Sequence, residues 1–308
     1  MWTVIDALGP VFVVLLAGVL LRRLPFLGGD FWAQMEKLVY FVLFPAMLIN
    51  RLALADFSGV AVSRVLLAVL LLLLIGSGVL ILLRRLISRS GPEFTSIFQG
   101  GMRFNTYVAL AASAELFGSL GLALAAVIMA LMIPMLNLLC VLVFARYAGD
   151  YPANWRTTLA RVIKNPLILA CLTGIALNVS QIGLPGWSQP SLEILSRAAL
   201  PLGLLAVGAA LNLAALRGTL RPALVATTAK LAVLPLLAVG LSQWLGLNSQ
   251  EQAVLVMFAA MPTATSAYIL ARQLGGDAPL MASIITLQTL LTMITLPLTL
   301  AANQWFFG

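Results

Sequence analysis

The chain has 308 residues, of which 62% are hydrophobic and 9% charged, with a formal net charge of +8 and no histidine. A soluble domain carries roughly 25% charged residues, so a fold that meets water over most of its surface is excluded. His-ligated metal sites, Ser-His dyads and His proton relays are excluded too.

The first stretch, Met1 to Asp6, has no basic n-region, and Arg22-Arg23 follows the apolar run instead of preceding it. The sequence therefore predicts a retained span, not a cleaved signal peptide. Apolar runs bounded by charge, Pro or Gly predict spans at about 5–21, 36–51, 61–83, 94–115, 120–145, 163–181, 191–213, 220–244, 250–271 and 278–302. Cys140 and Cys171 fall inside such runs and read as inert small hydrophobes. The basic connection from Arg146 to Lys164 is the candidate hinge region. Lys and Arg alternate strongly between the two sides: thirteen fall on one side, and only Arg51, Arg64 and Arg197 on the other. Positive residues select the cytoplasmic face, so both termini are expected outside, in a multi-pass protein of the inner (plasma) membrane. Basic residues at span ends suit anionic lipid headgroups, and nucleic-acid binding is not expected.

The spans repeat. Pro10, Gly18 and Pro45 recur 156 residues later as Pro166, Gly174 and Pro201. Pro134 and Pro297 differ by 163, which needs one short insertion. Spans 4 and 9 close with matching Phe117-Gly118 and Leu274-Gly275 pairs. The expected architecture is all-α, ten helices as a 5+5 inverted repeat, with residues 1–148 the first half and 149–308 the second. An odd number of spans per half turns the second copy over, an arrangement found mainly in transporters. The alternative is coincidence among residues common in membrane helices.

Two spans are irregular. Span 4 carries adjacent Gly100 and Gly101, which weaken a helix, followed by Arg103, Asn105 and Thr106. A charge at the bilayer centre costs roughly 2.5–3.5 kcal/mol, so Arg103 either faces a polar site, pairs with Glu115 or a carbonyl, or snorkels. Span 9 carries Pro262, which cannot donate a helical hydrogen bond, followed by Thr263, Thr265 and Ser266. This is either a plain kink or the matching interruption. A helix broken at mid-bilayer presents free N–H groups and about half a positive charge at its new start. Two such starts facing each other, with Arg103 beside them, would hold a carboxylate. Asn50, Asn137, Asn212 and Gln288 could line the same cavity or bond a neighbouring helix. Lys230 reads as snorkelling to the cytoplasmic edge. Every Asp and Glu reads as loop or span end, which lends proton coupling no support and argues against an intramembrane protease.

Gly-x-x-Arg-x-Asn at Gly100, Arg103 and Asn105, the Pro-broken span 9 and the five-plus-five plan together resemble the auxin efflux carrier family, over the whole chain. The resemblance implies kinship with plant auxin efflux proteins and bacterial malonate-type carriers, and a distant fold relation to bile-acid sodium symporters. It also implies broken helices 4 and 9 crossing at the substrate, a scaffold domain beside a transport domain, and a homodimer. Span 4 has Gly-Gly where plant relatives are expected to have an asparagine- and proline-marked crossover. The expected function is a secondary transporter or facilitator of a small organic anion, auxin-like or malonate-like, working by alternating access. An anion channel on the same fold and a sodium-coupled symporter are the alternatives. No enzyme activity and no cofactor are expected, and a coupling ion, sodium or proton, stays open.

Overall fold

A computed structural model describes residues 2–28, 30–55, 61–88, 90–148, 166–216 and 219–307. The candidate hinge, apart from Arg146 to Ala148, and the boundary between the two expected halves lie outside these residues. Regular structure among the described residues is helical throughout. The principal helices are α1 (Trp2–Leu21), α2 (Phe31–Ala53), α3 (Val62–Leu82), α4 (Gly91–Met102), α5 (Thr106–Tyr147), α6 (Pro166–Val179), α7 (Ser188–Ala210), α8 (Leu220–Trp244), α9 (Ser249–Ala259), α10 (Ser266–Gln273) and α11 (Ala278–Phe307). Among the described residues, six helical stretches are long and apolar enough to cross a membrane: α2, α3, the run from Gly91 to Tyr147, α7, α8 and α11 from Ala278 to Trp305. The apolar stretches of α1 and α6 are shorter.

Local chemistry sets the irregularities. α2 and α8 each contain one wide π turn, Val39–Leu43 and Ala229–Val233, closely followed by Pro45 and Pro235. A proline lacks its N–H and clashes with the carbonyl four residues back. That carbonyl belongs to Phe41 or Leu231, inside the widened turn, which relieves the clash without breaking the helix. α5 is divided at Gly118, whose φ of 59° is in the left-handed region that only glycine adopts freely. Its first segment is residues 106–117.

Packing divides the helices into two groups. α1 lies on α7, and α2 lies between α6 and α7. α4, α5 and α8–α11 pack with α3 around the two interrupted segments. Glycines allow the closest approaches in the first group, as is usual where lipid removes the hydrophobic drive between helices. A Cβ on Gly18 would lie 2.2 Å from the Leu205 carbonyl oxygen, and one on Gly208 would lie 1.8 Å from that of Leu15. On the other side of the group, a Cβ on Gly174 would lie 2.7 Å from Leu52 Cβ and 3.2 Å from the Ile49 carbonyl oxygen.

Candidate functional site

Two interruptions meet inside the protein. α4 runs straight through Gly100 and Gly101 and stops at Met102; the extended residue is Arg103, with φ −70° and ψ 157°. The two glycines therefore do not break the helix. They serve packing: a Cβ on Gly100 would lie 2.6 Å from Ile284, and one on Gly101 would lie 3.2 Å from Leu80. α9 stops at Ala259, and α10 begins only at Ser266, beyond Pro262. The backbone N–H of Asn105 donates to the Pro262 carbonyl at 2.7 Å, which ties one interruption to the other.

Three side chains hold this junction. Asn105 caps the restarted helix, its Oδ1 accepting the N–H groups of Tyr107 (3.0 Å) and Val108 (3.3 Å). Gln288 of α11 is fully buried and bridges both interrupted runs. Its Oε1 accepts from the Thr263 N–H at 2.8 Å, and its Nε2 donates to the Gly100 carbonyl at 3.0 Å. Gln99 donates from Nε2 to the Ala267 carbonyl in α10 at 2.7 Å. These bonds satisfy backbone groups that a broken helix leaves open.

The starts of α5 and α10 face common space. Two neighbouring cavities, of about 480 and 260 Å³, share Tyr40, Thr106, Ala264, Ser266 and Ile269 in their walls. The larger one includes Arg103 and Asn137. The Arg103 Nη1 donates to Asn137 Oδ1 at 2.9 Å, so its partner is an amide of α5 and not Glu115, which is exposed. The smaller cavity is lined by Glu36, Lys37, Asn105 and Thr265 among others. Asn105 is 1% exposed, and its Nδ2 has no protein partner. The buried Thr263 Oγ1 likewise has none. Two helix starts that border both cavities, with a guanidinium in the wall of the larger, make a setting for a negatively charged group.

Not every sequence-predicted site residue comes here. Asn50 donates from Nδ2 to Glu193 at 2.7 Å and ties α2 to α7. The Asn212 N–H donates to Thr286 Oγ1 at 3.0 Å just past the end of α7, and the Asn212 side chain is exposed. Gly101 lines a separate apolar cavity of about 660 Å³ between α3, α4 and α8, where Arg221 and Thr228 are among the few polar residues.

Two charged residues stand otherwise than the sequence suggests. Lys230 does not snorkel: it is fully buried in the π turn of α8, and Nζ donates to the Phe258 carbonyl, in the last turn of α9, at 3.5 Å. The amino group there lies at the negative end of a helix dipole. Glu36 lies in the second turn of α2. α2 begins five residues earlier, at Phe31, and the half-buried Glu36 carboxylate accepts a 3.0 Å hydrogen bond from Thr265 Oγ1, immediately before α10. Its partner is 229 residues away, so no local pattern pointed to it.

Residues 154–300 match the protein family described as membrane transport protein. The chain is also 30% identical over 295 residues to an uncharacterized transporter of Methanothermobacter thermautotrophicus, covering 94% of each chain. The chain belongs to the auxin efflux carrier family of membrane transport proteins. As a member of that family it is a multi-pass membrane transporter, and its interrupted helices are the place to look for what it carries.

Proposed function

We propose that this transporter carries a small organic anion by alternating access, and binds it between the starts of residues 106–117 and α10. The observation that carries this reading is the 2.7 Å hydrogen bond from the Asn105 N–H to the Pro262 carbonyl. It brings two interruptions together, so two helix starts of about half a positive charge each face one cavity. Arg103 adds a full charge and a forked donor set matched to a carboxylate. Thr106 and Ser266 supply directional donors in the walls of both cavities, and Asn105 lines the smaller one.

The ten-span inverted repeat belongs to this proposal. The offset of 156 that relates Gly18 to Gly174 also relates their contacts. Gly18 approaches Leu205, and Gly174 approaches Ile49, which is 156 residues before 205. In this reading α1, α2, α6 and α7 form the scaffold, and the group holding both interruptions moves against it.

The test is uptake of labelled malonate, acetate and indole-3-acetate into proteoliposomes. Charge-assisted hydrogen bonds contribute about 1.5–3 kcal/mol, so Arg103→Ala lowers uptake about 10- to 100-fold while the protein stays folded. Wild-type uptake retained by that variant would remove the anion site.

A further inference from the structure

We propose that Glu36 is the coupling acid of this transporter: the substrate anion binds when the Glu36 carboxyl is protonated, so one proton travels with each anion. The inference rests on the anion-carrier reading above and names the ion that drives it.

The cavity that offers donors to an anion already contains a carboxylate. Glu36 lines the 260 Å³ cavity together with Asn105, Thr106 and Ser266, and its Oε1 accepts from Thr265 Oγ1 at 3.0 Å. Thr265 is the residue that opens α10, and its side chain makes no cap to that helix. Its hydroxyl is turned to Glu36 instead. The Glu36 carboxylate therefore competes for the same helix start that an incoming carboxylate would use. A second observation points to a ligand: Asn105 is among the residues lining the cavity, is 1% exposed, and its buried Nδ2 bonds no protein atom.

Two carboxylates a few ångströms apart, screened as charges inside a protein usually are, repel strongly enough to weaken binding on the order of 100-fold. Protonation removes that repulsion and turns Glu36 into a donor. The charged and titratable groups around it are few, and Lys37 is the cation that shares the cavity wall. On α2 itself, Lys37 is exposed and Tyr40 lies one turn on. From the 103–107 segment come Arg103, already bonded to Asn137, and Tyr107. α10 carries Tyr268 one turn in and Arg272 in its last turn, both exposed. α7, packed on α2, carries Glu193 and Arg197. Both belong to the far end, where Glu193 holds Asn50 and Arg51, about 21 Å along α2 from Glu36. The α7 end nearer Glu36 is capped by Arg22, which donates to the Ala209 carbonyl at 2.7 Å.

The proton balance is simple. The proton is taken from water on the loading side, rides on the Glu36 carboxyl, and is released with the anion on the other side. A monocarboxylate then moves without net charge, whereas a protein lacking the acid moves one negative charge per turnover.

The test uses the full chain in two formats. Calorimetric binding of malonate, acetate and indole-3-acetate in detergent between pH 6 and pH 8 gives the affinity profile. Uptake of the tighter-binding monocarboxylate, acetate or indole-3-acetate, under a valinomycin-clamped potassium gradient gives the charge moved. In the wild type the Kd rises about tenfold per pH unit above the pKa of Glu36. With Glu36→Gln the profile is flat, and uptake becomes driven by inside-positive potential. Glu36→Asp keeps the wild-type slope, which separates loss of the acid from loss of the fold. A wild-type profile that is flat, or a Glu36→Gln profile that keeps the slope, overturns the assignment while leaving the anion carrier standing. Failure of the wild type to bind any of the three acids overturns both.

Discussion

Gln288 is the side chain on which the junction of the two interruptions depends most, and removing it has a calculable effect. Gln288→Leu conserves volume closely, so packing changes little. What is lost are two hydrogen bonds, from the Thr263 N–H at 2.8 Å and to the Gly100 carbonyl at 3.0 Å, both fully buried. An ordinary interhelical hydrogen bond in a membrane contributes only about 0.6 kcal/mol, because the unfolded state in lipid finds other partners. Here both partners are backbone groups. A buried backbone group left open costs about 1–3 kcal/mol, so losing both partners is expected to cost about 2–6 kcal/mol in all. Gln252→Leu is the control. Gln252 Nε2 donates to Asn303 Oδ1 at 2.8 Å, a buried side-chain pair joining α9 to α11 and away from the break. Reversible unfolding in mixed micelles measures both. A Gln288→Leu cost no larger than that of Gln252→Leu would refute the idea that the side chain holds the interrupted backbone in place.

Gly208→Ala forces a Cβ to within 1.8 Å of the Leu15 carbonyl oxygen, which is backbone and cannot move aside cheaply. It is expected to cost at least about 1–3 kcal/mol. In contrast, Gly9→Ala, which meets nothing within 4 Å, is neutral or slightly stabilising by the same unfolding assay. Lys230→Met replaces a fully buried amino group that has a single long bond, at 3.5 Å, with an apolar side chain of similar reach. Because an imperfectly paired buried polar group costs more than it returns, the melting temperature of the variant is expected to hold or rise. A clear fall would mean that the amino group contributes to stability through the end of α9.

The helical framework was largely legible because the membrane imposes a coarse rule. Apolar runs of sufficient length, cut by charge, proline or glycine, must be helices, and α8 falls on residues 220–244 as the pattern requires. The second interruption was legible for the same reason, since Pro262 with its following hydroxyls breaks helical hydrogen bonding wherever it lies. The first was misplaced by three residues. Gly100 and Gly101 look like breakers by propensity, but their missing side chains make room for Ile284 and Leu80, and packing outweighs propensity in a buried helix. Charged residues were read least well. Glu36 and Lys230 gain their meaning from Thr265 and Phe258, partners 229 and 28 residues away. Arg103 was visible as an intramembrane charge, yet its choice of Asn137 over Glu115 depends on how α5 passes the break. Gln288 stood out as a polar residue in a span, but nothing in one sequence says that it serves both broken helices at once.

The most direct test of the proposed site is the structure of the wild-type protein bound to whichever acid it transports. The account places the acid's carboxylate in the space bordered by Arg103, Thr106 and Ser266, within hydrogen-bonding distance of the Asn105 amide. Density for the acid in the 660 Å³ cavity between α3, α4 and α8, with the starts of α5 and α10 untouched, would contradict it.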